Sequence, residues 1–200
     1  MEPFEAFILA GGASRRMGTD KSQLLLQGET MIQRLASIVT PLASSVTVVG
    51  RAPHELHLKS AADIYQHWGA LGGVHAALSA CASDWALVIA CDMPHLSVNL
   101  FQRLAAFREG HEAVAPIQPD GRPQPLCAFY RKEPCLEKAR NLIESGERKP
   151  VTLLQSVTTR WVRFEELQDL PAADLLFEKD RKSTRLNSSH RSLSRMPSSA

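Results

Sequence analysis

The chain has 200 residues, 44% of them hydrophobic and 22% charged, and a formal net charge of +2. That length is enough for one domain with a real core, and the composition is ordinary for a soluble globular protein. No apolar run approaches membrane-spanning length, and the N-terminus lacks the basic-then-apolar pattern of a secretory signal, so a cytoplasmic protein with no membrane partner is expected.

The first apolar run, Phe7-Ile8-Leu9, reads as a buried strand. It breaks into Ala10-Gly11-Gly12-Ala13-Ser14, followed by Arg15, Arg16 and Lys21. Two glycines after a strand let the backbone turn sharply and approach a ligand, and exposed N–H groups in such a turn hold anions. With three cations close behind, the stretch suits a polyphosphate; for two glycines and basic residues alone, a glycine turn with solvated cations is the other reading. It is neither a Walker loop, for want of G-x-x-x-x-G-K-[ST], nor a dinucleotide fingerprint, for want of G-x-G-x-x-G.

Further along, Met31 to Val39 has helical spacing and Val46 to Val49 is a β-branched strand. Gly72 to Ala82 suits a close-packed helix, Trp85 to Ala90 a central strand and Val98 to Phe107 an amphipathic helix. Ala113 to Ala115, Leu126 to Tyr130 and Thr159 to Val162 read as strands, and Glu133 to Glu144 and Pro150 to Ser156 as helices. Strands alternating with helices predict a three-layer α/β/α sandwich with a mostly parallel sheet. Ligands in such sheets bind beyond the carboxyl ends of the strands, where the glycine loop falls.

Cys91-Asp92-Met93-Pro94 directly follows the strand Trp85 to Ala90, so Asp92 faces the same crevice. Alone it reads equally as a turn or cap residue. Opposite a phosphate loop it is a candidate ligand for Mg²⁺, which binds through few carboxylates plus phosphate oxygens. The four cysteines, Cys81, Cys91, Cys127 and Cys135, show no C-x-x-C zinc pattern and read as packed thiols. His75 reads as packed on a helix and His95 as flanking the Asp92 loop; no histidine constellation suggests base catalysis.

From Asp180 on, the chain is rich in Ser and Arg with no hydrophobic period. Asp180 to His190 resembles an in-frame translation of a sequencing-library adapter. The expected division is therefore a domain over 1–179 and a disordered, non-native tail over 180–200. The tail holds five Lys/Arg and one acid, a net +4, which leaves 1–179 at −2 against the whole-chain +2. That removes the compositional argument for a nucleic-acid partner.

The string L-A-G-G-x-S-x-R-M-G-x-D-K, Leu9 to Lys21, resembles the signature loop of nucleotidyltransferases. Its Gly-Gly form is similar to the molybdenum cofactor guanylyltransferases, where related cytidylyltransferases more often read L-A-A-G. The resemblance implies a Rossmann-like nucleotidyltransferase fold and transfer of GMP from Mg-GTP to molybdopterin-bound molybdenum cofactor. Leu9, Ala10, Gly11, Gly12 and Lys21 are then nucleotide-binding, Lys21, Arg15 and Asp92 catalytic, and Asp92 the metal ligand. Asp63, ahead of Gly69-Ala70-Leu71-Gly72-Gly73, matches the acid that reads guanine, with Ala70 standing where the family often has Pro. An ordinary surface acid is the other reading of Asp63. Gly50 falls where the family places a polar nucleotide contact, so only its backbone can serve. Gln124 and Pro125, in Gly121 to Tyr130, resemble the acceptor-side segment, and an ordinary proline turn is the alternative. The resemblance implies Mg²⁺ as cofactor, GTP and molybdenum cofactor as substrates, and admits molybdoenzyme chaperones as partners. The family's terminal N-x-N-T-P-E-D segment has no match here, from which poor transfer to the acceptor is expected. Two other readings stay open: a nucleotidyltransferase using CTP or a sugar-phosphate acceptor, and a non-enzymatic protein binding through its basic tail.

Overall fold

The computed structural model describes residues 2–10, 25–26, 29–50, 57–65 and 67–178. Its centre is a seven-stranded sheet. In chain order the strands are β1 (Glu5–Leu9), β4 (Val46–Val49), β5 (Lys59–Ala61), β6 (Trp85–Ala90), β7 (Ala113–Pro116), β8 (Cys127–Arg131) and β9 (Thr159–Val162). Two short strands, β2 (Leu25–Leu26) and β3 (Glu29–Thr30), pair antiparallel outside it. Across the sheet the order is β5-β4-β1-β6-β8-β7-β9. Only β8 runs against the rest.

The reversal of β8 has a plain cause. A parallel return needs a crossover of a dozen or more residues, usually a helix. Residues 117–126 join β7 to β8 with no helix, so the chain returns antiparallel and slots between β6 and β7. The α/β sandwich expected from the sequence is otherwise observed, mostly parallel and flanked on both faces.

The strands are apolar almost throughout because both faces are covered. Side chains alternate, so Ala6 and Ile8 of β1 enter one core and Phe7 and Leu9 the other. The first core is closed by α1 (Met31–Val39) and α3 (Val98–Ala106), with Leu167, Leu170, Leu176 and Phe177 from the C-terminal turns. The second is closed by α2 (Gly69–Ala80), α4 (Lys132–Glu144) and α5 (Pro150–Gln155).

Helix starts follow their local chemistry. Thr30 caps α1 by accepting from Gln33 N at 3.2 Å, while the Gln33 amide accepts from Thr30 N at 2.8 Å. Ser97 caps α3 by accepting from Leu100 N. Helix α2 begins at Gly69, three residues before the start read from its glycines. Tertiary packing overrides glycine's poor propensity there, with Leu71, Val74, Ala77 and Leu78 all fully buried.

Candidate active site

The register sets five chain segments at one end of the sheet. Leu9, the last residue of β1, lies between Val49 of β4 and Ala90 of β6, and Val49 pairs in turn with Ala61 of β5. Each strand then leaves in the same direction. Ala10 N donates to Val49 O at 3.0 Å, Gly50 N to Ala61 O at 2.9 Å, and Cys91 N to Leu9 O at 3.4 Å. On the far side Ala90 N donates to Leu126 O at 2.8 Å, which brings in the segment before the reversed β8. Leu9, Ala10, Gly50, Asp63, Asp92, Gln124 and Pro125 therefore gather where ligands of open α/β sheets bind. Gly11, Gly12, Arg15 and Lys21 lie outside the described residues.

Two backbone groups are already committed. The N–H of Ala10 goes to Val49 and is not available to a phosphate. Gly50 holds φ at 102°, a conformation natural to glycine, and gives its N–H to Ala61. A nucleotide contact from Gly50 thus falls to its carbonyl oxygen.

Asp63 stands two residues beyond β5 in a tight corner. Its Oδ1 is buried and has no hydrogen-bond partner among the described residues. Burial pushes the carboxyl above the ordinary carboxylate value, and the positive side of His67 pulls it part of the way back. The corner exists because Gly72 lacks a side chain. A Cβ there would lie 2.9 Å from Trp68 Cβ, 3.2 Å from the Tyr65 carbonyl and 3.5 Å from Asp63 Oδ1. Gly73 has the neighbouring role, since its Cβ would come within 3.1 Å of Leu9 Cδ1. The Gly72-Gly73 pair lets α2 settle against both the end of β1 and the Asp63 loop.

Asp92 is half-buried on the turn directly after β6. The turn is pinned from below, with Met93 and Pro94 buried and Arg34 Nε of α1 donating to Pro94 O at 3.0 Å. His95 flanks this turn, half-buried, as expected. On the acceptor side, Gln124 is buried; its N–H donates to Pro116 O and its carbonyl accepts from Cys127 N. Tyr130 donates to Pro125 O at 2.6 Å.

Other groups serve packing. His75 lies in α2 with its ring edge-on to Tyr65, 4.9 Å between centroids, and burial followed by Arg140 lowers its pKa. Cys81, Cys127 and Cys135 are free thiols, and burial raises each to about 12. One feature has no local sequence signal. Trp68 Nε1 donates to Glu147 O at 2.9 Å, and the Arg148 guanidinium stacks over the Trp68 ring at 4.7 Å. That contact joins residues 79 positions apart, beyond the reach of any periodicity.

The comparisons with known proteins agree with this arrangement. The family model of the MobA-like NTP transferase domain matches residues 6–160. A protein from Pelotomaculum thermopropionicum named probable molybdenum cofactor guanylyltransferase is 32% identical over 173 residues, 85% of this chain and 83% of its own. A molybdenum cofactor guanylyltransferase from Desulfosudis oleivorans is 32% identical over 73% of this chain and 74% of its own. Among solved structures, molybdopterin-guanine dinucleotide biosynthesis protein A from Archaeoglobus fulgidus superposes with a TM-score of 0.72 at 23% identity, covering 88% of this chain and 91% of that one. The 2-C-methyl-D-erythritol 4-phosphate cytidylyltransferase of Thermus thermophilus shares the fold more distantly, with a TM-score of 0.62 at 17% identity over 91% and 95% of the two chains. On its sequence and its fold alike, the chain belongs to the MobA-like NTP transferase family, among the molybdenum cofactor guanylyltransferases.

Proposed function

We propose that this nucleotidyltransferase moves the GMP unit of Mg-GTP onto the phosphate of molybdopterin-bound molybdenum cofactor and releases pyrophosphate. The observation that carries the reading is Asp63: a buried carboxylate oxygen without a partner among the described residues, at the sheet end where nucleotides bind. A guanine edge offers two donors, N1–H and the 2-amino group, to one carboxylate. Cytosine and adenine offer no such pair, and a buried acceptor left unmatched is costly. The names of the relatives support the same acceptor and nucleotide.

In this reading an acceptor phosphate oxygen attacks the α-phosphorus in line. A new P–O bond forms, the bond from the α-phosphorus to the bridging oxygen breaks, and its electron pair leaves with pyrophosphate. The nucleophile is already ionised at neutral pH, so no general base is required. Catalysis reduces to positioning and charge stabilisation. Lys21 and Arg15 are assigned to the triphosphate together with the amides of Gly11 and Gly12, Asp63 to the base, and the Gly50 carbonyl to a further nucleotide contact. Gln124 and Pro125 shape the acceptor side.

Asp92 fits a Mg²⁺ ligand. It presents hard oxygen donors on the turn after β6, next to the start of the phosphate loop, and Mg²⁺ needs only one or two carboxylates beside phosphate oxygens and water. Bound there, the cation would offset triphosphate charge. Action in the cytoplasm and delivery of the product through molybdoenzyme chaperones complete the proposal. Calorimetric titration of GTP, CTP, ATP and UTP with Mg²⁺ tests it. GTP is expected to bind tightest; a preference for CTP would overturn the guanine assignment.

A further inference from the structure

Asp63 stands on a loop that follows a three-residue edge strand, so little in its own element holds it in place. Reading two donors with one carboxylate requires a fixed carboxylate plane, and misplacing such a group by an ångström is costly. Support comes from another part of the chain. Trp68 closes the loop by donating its backbone N–H to Tyr65 O at 3.2 Å, and its Cβ lies in the same Gly72 corner as Asp63 Oδ1. From that corner the indole reaches out to the turn between α4 and α5. Trp68 Nε1 donates to Glu147 O, Arg148 stacks on the ring, and Arg148 Nη1 donates to His67 O at 3.5 Å.

The turn itself is held firmly. The Glu147 carboxylate accepts from Arg148 N at 2.8 Å, Lys149 N at 2.9 Å and Thr152 Oγ1 at 3.0 Å, and these bonds hold it below the usual carboxylate range. Gly146 makes the bend possible with φ at 92°. The α4–α5 corner thus carries its own hydrogen bonds, and Trp68 is the strut from that corner to the Asp63 loop.

We propose that Trp68, clasped between Glu147 and Arg148, is a positioning residue that sets the selectivity for guanine by holding Asp63. The proposal rests on Asp63 being the base reader. A structural role alone would weaken every nucleotide alike. A positioning role weakens the nucleotide whose extra hydrogen bond depends on Asp63.

The test compares Mg-GTP with Mg-ITP, which lacks the 2-amino group, by calorimetry on the full chain. The unaltered protein should favour GTP about tenfold, the equivalent of one hydrogen bond to a charged group. Trp68→Ala should narrow that ratio to about threefold or less. Trp68→Phe keeps the ring for Arg148 but loses the Nε1 donor, and should fall between. Arg148→Ala, on an exposed side chain, keeps the test decisive should Trp68→Ala fail to fold, and it too should narrow the ratio. Affinities for GTP and ITP that drop by the same factor would overturn the proposal. Asp63→Asn separates the two claims. A ratio changed by Asp63→Asn but by neither Trp68→Phe nor Arg148→Ala refutes the brace alone. A ratio unmoved by Asp63→Asn removes the base reader and the brace with it.

Discussion

At the scale of single residues, the candidate site holds two half-buried carboxylates with different assignments. Asp63 is half-buried, and burial raises its pKa, so the free protein keeps its proton there to a higher pH than an exposed aspartate does. Guanine's donors require the ionised form. GTP affinity should therefore fall as pH drops from 7 through the raised pKa of Asp63, and binding should release a proton over that range. The stability linkage has the opposite sign. A carboxyl whose folded pKa is raised contributes most below its unfolded pKa, and that contribution is lost as pH rises through the folded value. Bound GTP should thus raise the melting temperature more at pH 7 than in acid. Calorimetry in buffers of different ionisation enthalpy checks the proton release, which Asp63→Asn should abolish. Asp92 carries the other assignment. Asp92→Ala should remove Mg²⁺-dependent turnover while the fold, read by circular dichroism, persists, because Met93 and Pro94 are buried and Arg34 holds the Pro94 carbonyl. Normal metal-dependent turnover in that variant would place the metal elsewhere.

At the scale of elements, the glycines of α2 make contrasting predictions. In Gly72→Ala the new methyl would meet the Tyr65 carbonyl and Trp68 Cβ, neither of which is the far end of a flexible side chain. Overpacking of this kind costs about 1–3 kcal/mol, against a gain of about 1 kcal/mol in helix propensity. The variant should lose stability and GTP affinity together, since the displaced loop carries Asp63. In Gly73→Ala the methyl meets only the end of the Leu9 side chain. There the propensity gain offsets the crowding, and urea unfolding should move by about 1 kcal/mol or less. Equal losses from the two variants would mean that the Asp63 corner is no tighter than its neighbour. These elements also show what the sequence could say. Strands β4, β6 and β9 and helix α1 were legible to the residue, and β1 in its last three residues, because buried parallel strands read as unbroken apolar runs and α1 has a clear helical period. Strand β5, Lys-Ser-Ala, has no such run and was missed; only its pairing with β4 makes it a strand. The reversal of β8 lay not in the strand's own residues but in its connection: no helix was read between Ala115 and Leu126, and so short a link returns the chain antiparallel. Asp63 and Asp92 were singled out as candidates by the motifs around them, but the Trp68–Glu147 contact was beyond reach, because it exists only once α4 and α5 have packed.

At the scale of the whole molecule, the sheet separates chemistry from anchorage. The candidate site lies beyond the carboxyl ends of β1, β4, β5 and β6. Toward the opposite end sits a buried cation, Arg108, only 4% exposed. Its guanidinium lies 5.3–5.5 Å from the ring centroids of Phe4, Trp85 and Phe129. It donates from Nη2 to Glu2 O at 2.6 Å and from Nε to Ala105 O at 3.1 Å, while Trp85 Nε1 donates to the Glu2 carboxylate. One side chain therefore ties the N-terminal segment, the end of α3 and three strands or their approaches into a single cluster. Burial lowers its pKa, with Glu2 opposing, so the cluster bears a desolvation cost that the rings and the two carbonyls offset. Arg108→Ala would leave a void under three aromatic rings and two carbonyls without their donor. The expected loss of stability is roughly 2–4 kcal/mol, read from urea unfolding. Mg-GTP affinity, measured well below the unfolding transition, should stay within about twofold, since the two clusters share no side chain and distant sites are additive to a few tenths of a kcal/mol. A larger shift in affinity with the fold still intact would show that the two ends of the sheet are coupled through β1 and β6, the central strands that reach from Arg108's aromatic neighbours to Leu9 and Asp92.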